Sequence, residues 1–170
     1  MNIFFTRLKV GWPKPLKVPE DWDGCWKVYT ICTVNNTYSC TTRADVRSLG
    51  SAKDKEDARS SYHDLLAKAH TGLNFTHLYD EKKCHEAHSF LFQTQEQNCP
   101  NHEVKIHRIW GTGVIRLYFL YLPNKRVVLL KTWAKRKNKL SEGEELQLEG
   151  IVNQIIECLC AHPFESREIS

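Results

Sequence analysis

Three consecutive segments in the second half of the chain have patterns typical of β-strands: the first alternates apolar and polar positions, and the third is rich in β-branched residues and leucine. They read VKIHRIW, VIRLYFLYL and RVVLLKTW. In the second segment, Ile115, Leu117 and Phe119 share one face, while Arg116 and Tyr118 lie on the other. The intervening sequences GTG and PNK are rich in turn-forming residues. The pattern therefore predicts three antiparallel strands between residues 104 and 134.

Apolar residues at three- and four-residue spacing predict two helices. The first covers residues 54–71, has acidic residues in its first turn and ends at Gly72. The second begins after Ser141, because Ser141 and Glu144 have the spacing of a capping box. Its predicted core-facing stripe consists of Leu146, Ile151, Ile155 and Leu159.

The first half of the chain has a weaker pattern. A strand is predicted over residues 26–34, followed by a turn at Asn35-Asn36 and a short returning strand over residues 37–42. Residues 1–25 are predicted to be an N-terminal extension, in which Pro13, Pro15 and Pro19 argue against helix. The polar residues 85–103 are predicted to be a loop, as part of an insertion near residues 84–103.

Together these elements predict one α+β domain over residues 26–170. An antiparallel sheet forms its centre, N-terminal helices pack on one face, and a C-terminal helix completes the fold. The chain contains no apolar run close to the roughly 20 residues that cross a bilayer. The apolar run at the N-terminus is too short for a signal peptide, and the seven cysteines show no regular framework. We therefore expect a cytoplasmic protein with mostly reduced thiols, no membrane association and no cofactor.

The charge of the chain is concentrated in one block. Residues 104–140 carry ten basic and no acidic residues, whereas residues 48–103 have a net charge of −3 and residues 141–170 a net charge of −6. The whole chain has a net charge of only +4. Such an asymmetry indicates an anionic partner such as nucleic acid, although a basic segment is also compatible with a solvated surface.

The sequence VIRLYFLYLPNKRVVLLKTWAKRKNKLSEGEELQLEGI resembles the RelE/ParE toxin superfamily, in particular its HigB-like, phage-derived branch. In that branch a strand with an arginine and aromatic residues enters a hairpin. An apolar strand then leads to an aromatic residue, a lysine-rich segment and the last helix. The matching features here are Arg116, Tyr118, Phe119, residues 127–130, Trp133 and Lys135-Arg136-Lys137.

The resemblance covers about residues 26–156, and the second half of this range carries most of it. Members of the family are usually shorter, and the lysine pair typical of the branch is Lys-Arg-Lys in this chain. The resemblance implies a RelE-like fold and a toxin of a type II toxin-antitoxin system. Toxins of the RelE kind cleave mRNA on the ribosome without a metal, by attack of a ribose 2′-hydroxyl on the adjacent phosphate. It also implies a cognate antitoxin as partner, alongside mRNA and the ribosome.

Two other functions remain open from the sequence. Toxins of the ParE kind share the fold but inhibit DNA gyrase without cutting RNA. The chain is also compatible with a nucleic-acid-binding module that has lost its activity. The lysine- and arginine-rich segment after the last predicted strand favours the RNA hypothesis.

The chemistry of RNA cleavage requires a base, a cation on the phosphate oxygens and an acid for the leaving oxygen. Arg116 is the predicted phosphate clamp, because the guanidinium fork fits phosphate oxygens. Tyr118 is predicted to stack on a base or to transfer a proton, although a packed aromatic is equally compatible with the pattern. The further catalytic candidates are Lys135, Arg136 and His107. Strand alternation allows only one of His107 and Arg108 to share the face of Arg116.

The remaining basic residues and one tryptophan are predicted to bind nucleic acid. Trp133 is a candidate for stacking on a base, although a core position is also compatible with it, and His107 is compatible with a structural role. The full set of predicted nucleic-acid-binding residues is Arg108, Lys125, Arg126, Lys131, Trp133, Lys137 and Lys139.

A possible metal site lies in the predicted loop. Cys84 and His88 are four positions apart, and Cys99 and His102 are three positions apart. Four such ligands are sufficient for a structural zinc ion. The spacing is irregular, so ordinary surface side chains are the alternative.

Overall fold

The computed structural model describes residues 3–9 and 20–170 of the chain. The three prolines of the predicted extension, Pro13, Pro15 and Pro19, lie outside the described residues. The strands are β1 (Phe4–Arg7), β2 (Lys27–Cys32), β3 (Cys84–Phe92), β4 (His102–Trp110), β5 (Ile115–Leu122), β6 (Arg126–Ala134) and β7 (Glu168–Ile169). The helices are α1 (Thr41–Arg47), α2 (Ala52–His70), α3 (Phe75–Leu78) and α4 (Glu142–Ala161).

The strands form one sheet in the order β3-β4-β5-β6-β2-β1-β7. Neighbouring strands are antiparallel except for the parallel pairs β2–β6 and β1–β7. The predicted α+β class with a largely antiparallel sheet is therefore confirmed. The sheet is larger than predicted, because β1, β3 and β7 join β2, β4, β5 and β6, which are four of the five strands that the sequence pattern predicts.

The alternation of side chains along the central strands builds two hydrophobic cores, one on each face of the sheet. On one face, Leu65 of α2 packs with Leu117 and Phe119. On the other face, Ile155 of α4 packs with Leu120. The helices that precede β3 thus cover one face, and the C-terminal helix covers the opposite face.

Strand β1 lies within the predicted N-terminal extension but contributes to the core. Phe5 pairs with Ile31 of β2 and is fully buried. Its ring also stacks on Phe164 near the C-terminus, with 4.6 Å between the ring centroids. Strand β1 near the N-terminus and β7 near the C-terminus therefore lie side by side at the same edge of the sheet.

Two local predictions in the first half are wrong. Residues 37–42 do not form a returning strand, because the Asn36 side chain caps a short 3₁₀ helix at Thr37–Ser39 and α1 follows directly. Residues 85–103 are not a continuous loop, because Cys84–Phe92 forms the nine-residue strand β3. Strand β3 is polar because it lies at an edge of the sheet, and its pairing with β4 shifts register between Glu86 and His88.

Helix α4 begins as predicted, since Ser141 and Glu144 form both hydrogen bonds of the capping box. Its buried stripe differs from the prediction and consists of Leu148, Val152, Ile155 and Cys158. Leu146, a predicted core residue, is 63% exposed. Among the described residues, no helix has the length and apolar character required to cross a membrane.

The expectation of mostly reduced thiols holds for five cysteines, which are free and buried. Cys99 and Cys160, however, form a disulfide. It ties the segment between β3 and β4 to the last turns of α4. The two residues are 61 positions apart, so their proximity depends on the packing of α4 across the sheet and is not visible in the sequence.

Candidate anion-binding site

Arg108 and Arg116 lie on adjacent strands at one end of the sheet. Arg108 of β4 is opposite Tyr118 of β5, and Trp110 is opposite Arg116. All four side chains point to the face covered by α4, because positions two apart on a strand share a face. Both arginines are buried, with 3% and 2% of their surface exposed. Arginines are rarely this buried unless their charge has a partner.

Among the described residues, the guanidinium of Arg108 contacts two backbone carbonyls and one histidine ring. Its Nη2 donates to the carbonyl oxygen of Lys82 at 2.9 Å and lies 2.7 Å from Nε2 of His85. Its Nη1 donates to the carbonyl oxygen of Asn138 at 3.3 Å. These contacts hold the side chain between the start of β3 and the segment that leads into α4.

Arg116 also has no ion-pair partner in the part of the chain that the structure describes. Its guanidinium stacks over the ring of Trp110, with 4.0 Å between Cζ and the ring centroid. It donates to the carbonyl oxygen of Ile115 at 3.3 Å and to the side-chain oxygen of Asn138 at 3.5 Å. Burial, together with repulsion from the Arg108 cation, lowers the pKa of Arg116.

No carboxylate within residues 3–9 and 20–170 forms an ion pair with either arginine. The Nε atoms of Arg108 and Arg116 and the hydroxyl of Tyr118 are buried and have no hydrogen-bond partner within the described protein. Burying two cations without counter-charge is costly. A bound anion supplies both the missing charge and the missing hydrogen-bond acceptors, so the arrangement is suited to an anionic ligand.

A cavity of about 550 Å³ opens beside this pair. Its lining includes the Arg108 side chain, the exposed cations Lys82 and Lys139, and the Trp110 ring. The acidic residue in the lining is Glu81. Arg116 lies next to the cavity, because it contacts two residues of the lining, Trp110 and Asn138. A cavity with these cations and an aromatic wall is suited to a phosphate group and a flat ring.

Tyr118 lies directly opposite Arg108 on β5 and is fully buried. Its ring contacts Trp133 edge-on at a centroid distance of 5.3 Å. Burial raises the pKa of Tyr118 to about 12, although the nearby Arg108 cation opposes this shift. The hydroxyl therefore stays protonated at neutral pH and is suited to donating a hydrogen bond or a proton.

Lys131 and Lys135 flank the site but are paired within the protein. Lys131 Nζ lies 3.0 Å from Oδ1 of the buried Asp45 on α1. Lys135 forms an ion pair with Glu144 in the first turn of α4. Burial is the largest single influence on Glu144 and raises its pKa, but the hydrogen bonds with Lys135 and Ser141 and the charge of Lys135 together outweigh it, so the pKa lies below its usual value.

Three other predicted residues lie away from the site. Lys125 and Arg126 occupy the opposite end of the β5–β6 hairpin, about 20 Å from Arg116 at the rise of a strand. There Lys125 donates to backbone carbonyls, and Arg126 pairs with Glu165 at 2.8 Å. His107 lies on the α2 face, where its ring stacks on Phe119 and burial lowers its pKa.

Arg136, Lys137 and Lys139 are exposed in the segment between β6 and α4. The ten cations of residues 104–140 therefore do not form one continuous surface. A compact group remains at the end of the sheet, where Arg108 and Arg116 are buried and Lys139 lies at the rim.

The proposed zinc ligands are separated in the fold. Cys84 is buried in the α2-side core, whereas Cys99 is in a disulfide with Cys160. His88 contacts Glu149 on α4 at 3.1 Å, and His102 contacts the carbonyl of Pro100. Among the described residues, no group of three or more metal-ligating side chains comes together. The four residues therefore do not form a zinc site.

Sequence reasoning named Arg108 and Lys139 among the seven residues that line the cavity and missed the other five, which are Glu81, Lys82, His85, Trp110 and Asn138. His85 was missed because β3 was predicted to be a loop. Its pairing with β4 places His85 directly opposite Arg108. Trp110 is two positions beyond Arg108, so alternation along β4 was a sufficient signal to find it.

A comparison of the chain with protein-family models gives no match, and neither curated proteins nor solved structures match it significantly.

Proposed function

We propose that this protein is a toxin of the RelE type that cleaves mRNA on the ribosome and thereby inhibits translation. The observation that carries the proposal is the pair of buried arginines, Arg108 and Arg116, which binds no carboxylate among the described residues. A phosphate of the RNA backbone is an anion that fits such a pair bidentately.

The order of the elements supports a RelE-like assignment. Strand β2 leads through α1 and α2 to the antiparallel strands β4, β5 and β6, and α4 follows. Strand β2 returns to the sheet parallel to β6. The arginine- and aromatic-bearing strand β5 lies at the centre of the sheet. The additional strands extend the sheet formed by β4, β5, β6 and β2 at both edges: β3 lies beside β4, and β1 and β7 lie beyond β2.

In this proposal the residues at the end of the sheet have different roles. Arg108 and Arg116 bind the non-bridging phosphate oxygens and stabilise the charge that develops on them. Tyr118, which remains protonated, donates to the leaving 5′-oxygen. Trp110 offers a ring beside the phosphate site for stacking with a base, and the exposed Arg136, Lys137 and Lys139 bind the flanking backbone.

A direct comparison of two assays tests the proposal. Purified protein is incubated with mRNA, free and on ribosomes, and the transcripts are mapped by primer extension; in parallel, supercoiling by DNA gyrase is measured. We expect cleavage of ribosome-bound mRNA after transition metals have been removed from the magnesium-containing buffer. We expect the supercoiling activity of gyrase to be unchanged. Inhibition of gyrase without RNA cleavage would identify the ParE-like alternative. RNA binding without either effect would identify an inactive binding module.

The proposed toxin requires a cognate antitoxin. Because the cavity presents Lys82, Arg108 and Lys139, a partner that covers it is expected to insert acidic side chains. Co-expression with such a partner is expected to suppress the cleavage that the first assay measures.

Replacing Glu144 with glutamine is expected to raise the affinity for single-stranded RNA about fivefold, equivalent to about 1 kcal/mol. The substitution keeps the capping box, because glutamine fits that position, but releases the charge of Lys135. Fluorescence anisotropy at two salt concentrations measures the effect, and the salt dependence is expected to become steeper by up to about one unit.

Glu142→Gln is the matched control, since Glu142 is exposed on the same turn and changes the net charge equally. Equal gains in affinity for the two variants would show that only the net charge matters. A pH titration of stability adds a second check. Because the folded-state pKa of Glu144 is depressed, its contribution to stability is present above its unfolded pKa and is lost as the pH falls through the folded value.

A further inference from the structure

His85 is the histidine in the lining of the candidate cavity. It lies near the start of β3, directly opposite Arg108 of β4, and is partly exposed. The other histidines considered above lie elsewhere: His88 contacts α4, His102 contacts Pro100, and His107 faces α2. His85 therefore combines a titratable ring nitrogen with access to the space beside the buried arginines.

The hydrogen bonds of His85 define its tautomer. Nδ1 lies 2.8 Å from the carbonyl oxygen of Glu86, and a carbonyl can only accept, so Nδ1 carries the hydrogen. Nε2 lies 2.7 Å from Nη2 of Arg108, and a guanidinium can only donate, so Nε2 accepts. The ring is thus neutral, with the lone pair of Nε2 directed toward the arginine that would bind the phosphate.

We propose that His85 is the proton acceptor for RNA cleavage in this cavity, an assignment that rests on the proposed function. When the phosphate binds Arg108, the guanidinium exchanges its contact with Nε2 for a phosphate oxygen. The freed lone pair then faces the ribose 2′-hydroxyl adjacent to that phosphate. The backbone contact at Nδ1 keeps the ring oriented during this exchange, as in other sites where the second ring nitrogen fixes the first.

The step balances without a metal or cofactor. Nε2 takes the proton of the 2′-hydroxyl while the 2′-oxygen forms a bond to phosphorus and the bond between phosphorus and the 5′-oxygen breaks. The leaving 5′-oxygen takes the proton of the Tyr118 hydroxyl. The proton on His85 then returns through solvent to Tyr118. The products are a 2′,3′-cyclic phosphate and a 5′-hydroxyl, with no net change in protons.

The charged groups around His85 come from four segments of the chain. Glu81 and Lys82 precede β3, Arg108 lies on β4, and Lys139 lies in the segment before α4. Glu86 follows His85 on β3, and its side chain lies 3.9 Å from Lys105 Nζ. A pH profile of the wild-type protein alone would combine the titration of several of these groups. The test therefore compares profiles between variants.

The experiment measures single-turnover cleavage of ribosome-bound mRNA by the full chain, its His85→Gln variant and a His77→Gln control. His77 is exposed on α3, away from the cavity. We expect the His85 variant to cleave about 100-fold more slowly at neutral pH, the lower range for loss of a general base. Binding of a 2′-O-methyl RNA, which cannot be cleaved, is expected to stay within about twofold of wild type. The acid limb of the rate profile is expected to disappear only in the His85 variant.

Each outcome is decisive. A wild-type rate in His85→Gln, an acid limb that persists, or an equal loss of affinity and rate would overturn the assignment while leaving the proposed function intact. The absence of cleavage by the wild-type protein, on free and ribosome-bound mRNA, would overturn the proposed function and the assignment with it. Mass spectrometry of the upstream fragment provides an independent check, because attack of the 2′-oxygen on phosphorus leaves a 2′,3′-cyclic phosphate at the 3′ end of that fragment.

Discussion

Replacing Arg116 with methionine is expected to lower the rate of RNA cleavage about 100- to 1,000-fold, the loss typical of removing one donor that stabilises a developing oxyanion. Arg116 is 2% exposed and stacks on Trp110, so a smaller residue would leave a void. Methionine fills a similar shape without a charge. Single-turnover cleavage at saturating protein measures the effect, and the reduction is expected in the rate rather than in RNA affinity alone.

The same variant is expected to fold at least as stably as the wild-type protein. In the absence of an anion, the Arg116 cation is buried, its Nε atom has no hydrogen-bond partner within the described protein, and the neighbouring Arg108 repels it. Replacing such a group with an apolar side chain is typically neutral or stabilising by about 1–2 kcal/mol. Thermal unfolding in phosphate-free buffer measures this. Added inorganic phosphate is expected to stabilise the wild type more than the variant.

Arg43→Gln, on the exposed surface of α1, is the matched control for the loss of one guanidinium. It is expected to retain the wild-type rate. Two results would contradict the proposal that Arg116 is a buried cation whose partner is a bound phosphate. One is a loss of several kcal/mol in the free energy of unfolding of Arg116→Met, and the other is a wild-type rate of RNA cleavage by this variant.

The second half of the fold could be predicted because its signals are local. Strand β4 alternates apolar and polar residues, β5 and β6 are rich in aromatic, β-branched and leucine residues, turn residues separate the three strands, and α4 begins with a complete capping box. Strand β3 was missed because an edge strand has only one neighbour and can remain polar along much of its length. Strand β1 was missed because only four residues pair, and their burial depends on Phe164 at the other end of the chain.

The candidate site could be predicted in part for the same reason. Arg116 and Tyr118 share a face through simple alternation, and this part of the prediction agrees with their placement. The pairing of β4 with β5 could be predicted, but β3 was not recognised as the second partner strand of β4. No pattern in the sequence therefore placed His85 opposite Arg108. The site depends on this pairing between residues 23 positions apart, which only the register of the sheet reveals.

The charge pattern correctly indicated a positively charged site, but it overestimated the number of cations that are free to bind an anion. Lys131 pairs with Asp45 of α1, and Lys135 pairs with Glu144 of α4. These two carboxylates therefore neutralise two of the ten cations in the basic block. Counting charges along a sequence cannot detect such pairs when they lie 86 positions apart, as Lys131 and Asp45 do. The informative cations are those whose burial leaves them without an acidic partner.

Removing the disulfide by a Cys99→Ala/Cys160→Ala double substitution is expected to lower the free energy of unfolding by about 4 kcal/mol. The two cysteines are 61 positions apart, and a cross-link across a loop of this length strongly reduces the conformational freedom of the unfolded chain. Urea unfolding of the oxidised wild type and the double variant measures the difference. The m-value is expected to rise in the variant, because its unfolded state is more open.

Reduction of the wild-type protein is the control for the substitutions themselves. With dithiothreitol, its unfolding midpoint is expected to fall to that of the double variant, whereas the variant is expected to be insensitive to reductant. Because β3 and the start of α4 are held by other contacts, such as that between His88 and Glu149, RNA cleavage at low temperature is expected to be retained in both forms. A wild-type midpoint that does not respond to reductant, with seven thiols titrated under denaturing conditions, would show that this bond does not form and that all seven cysteines are reduced.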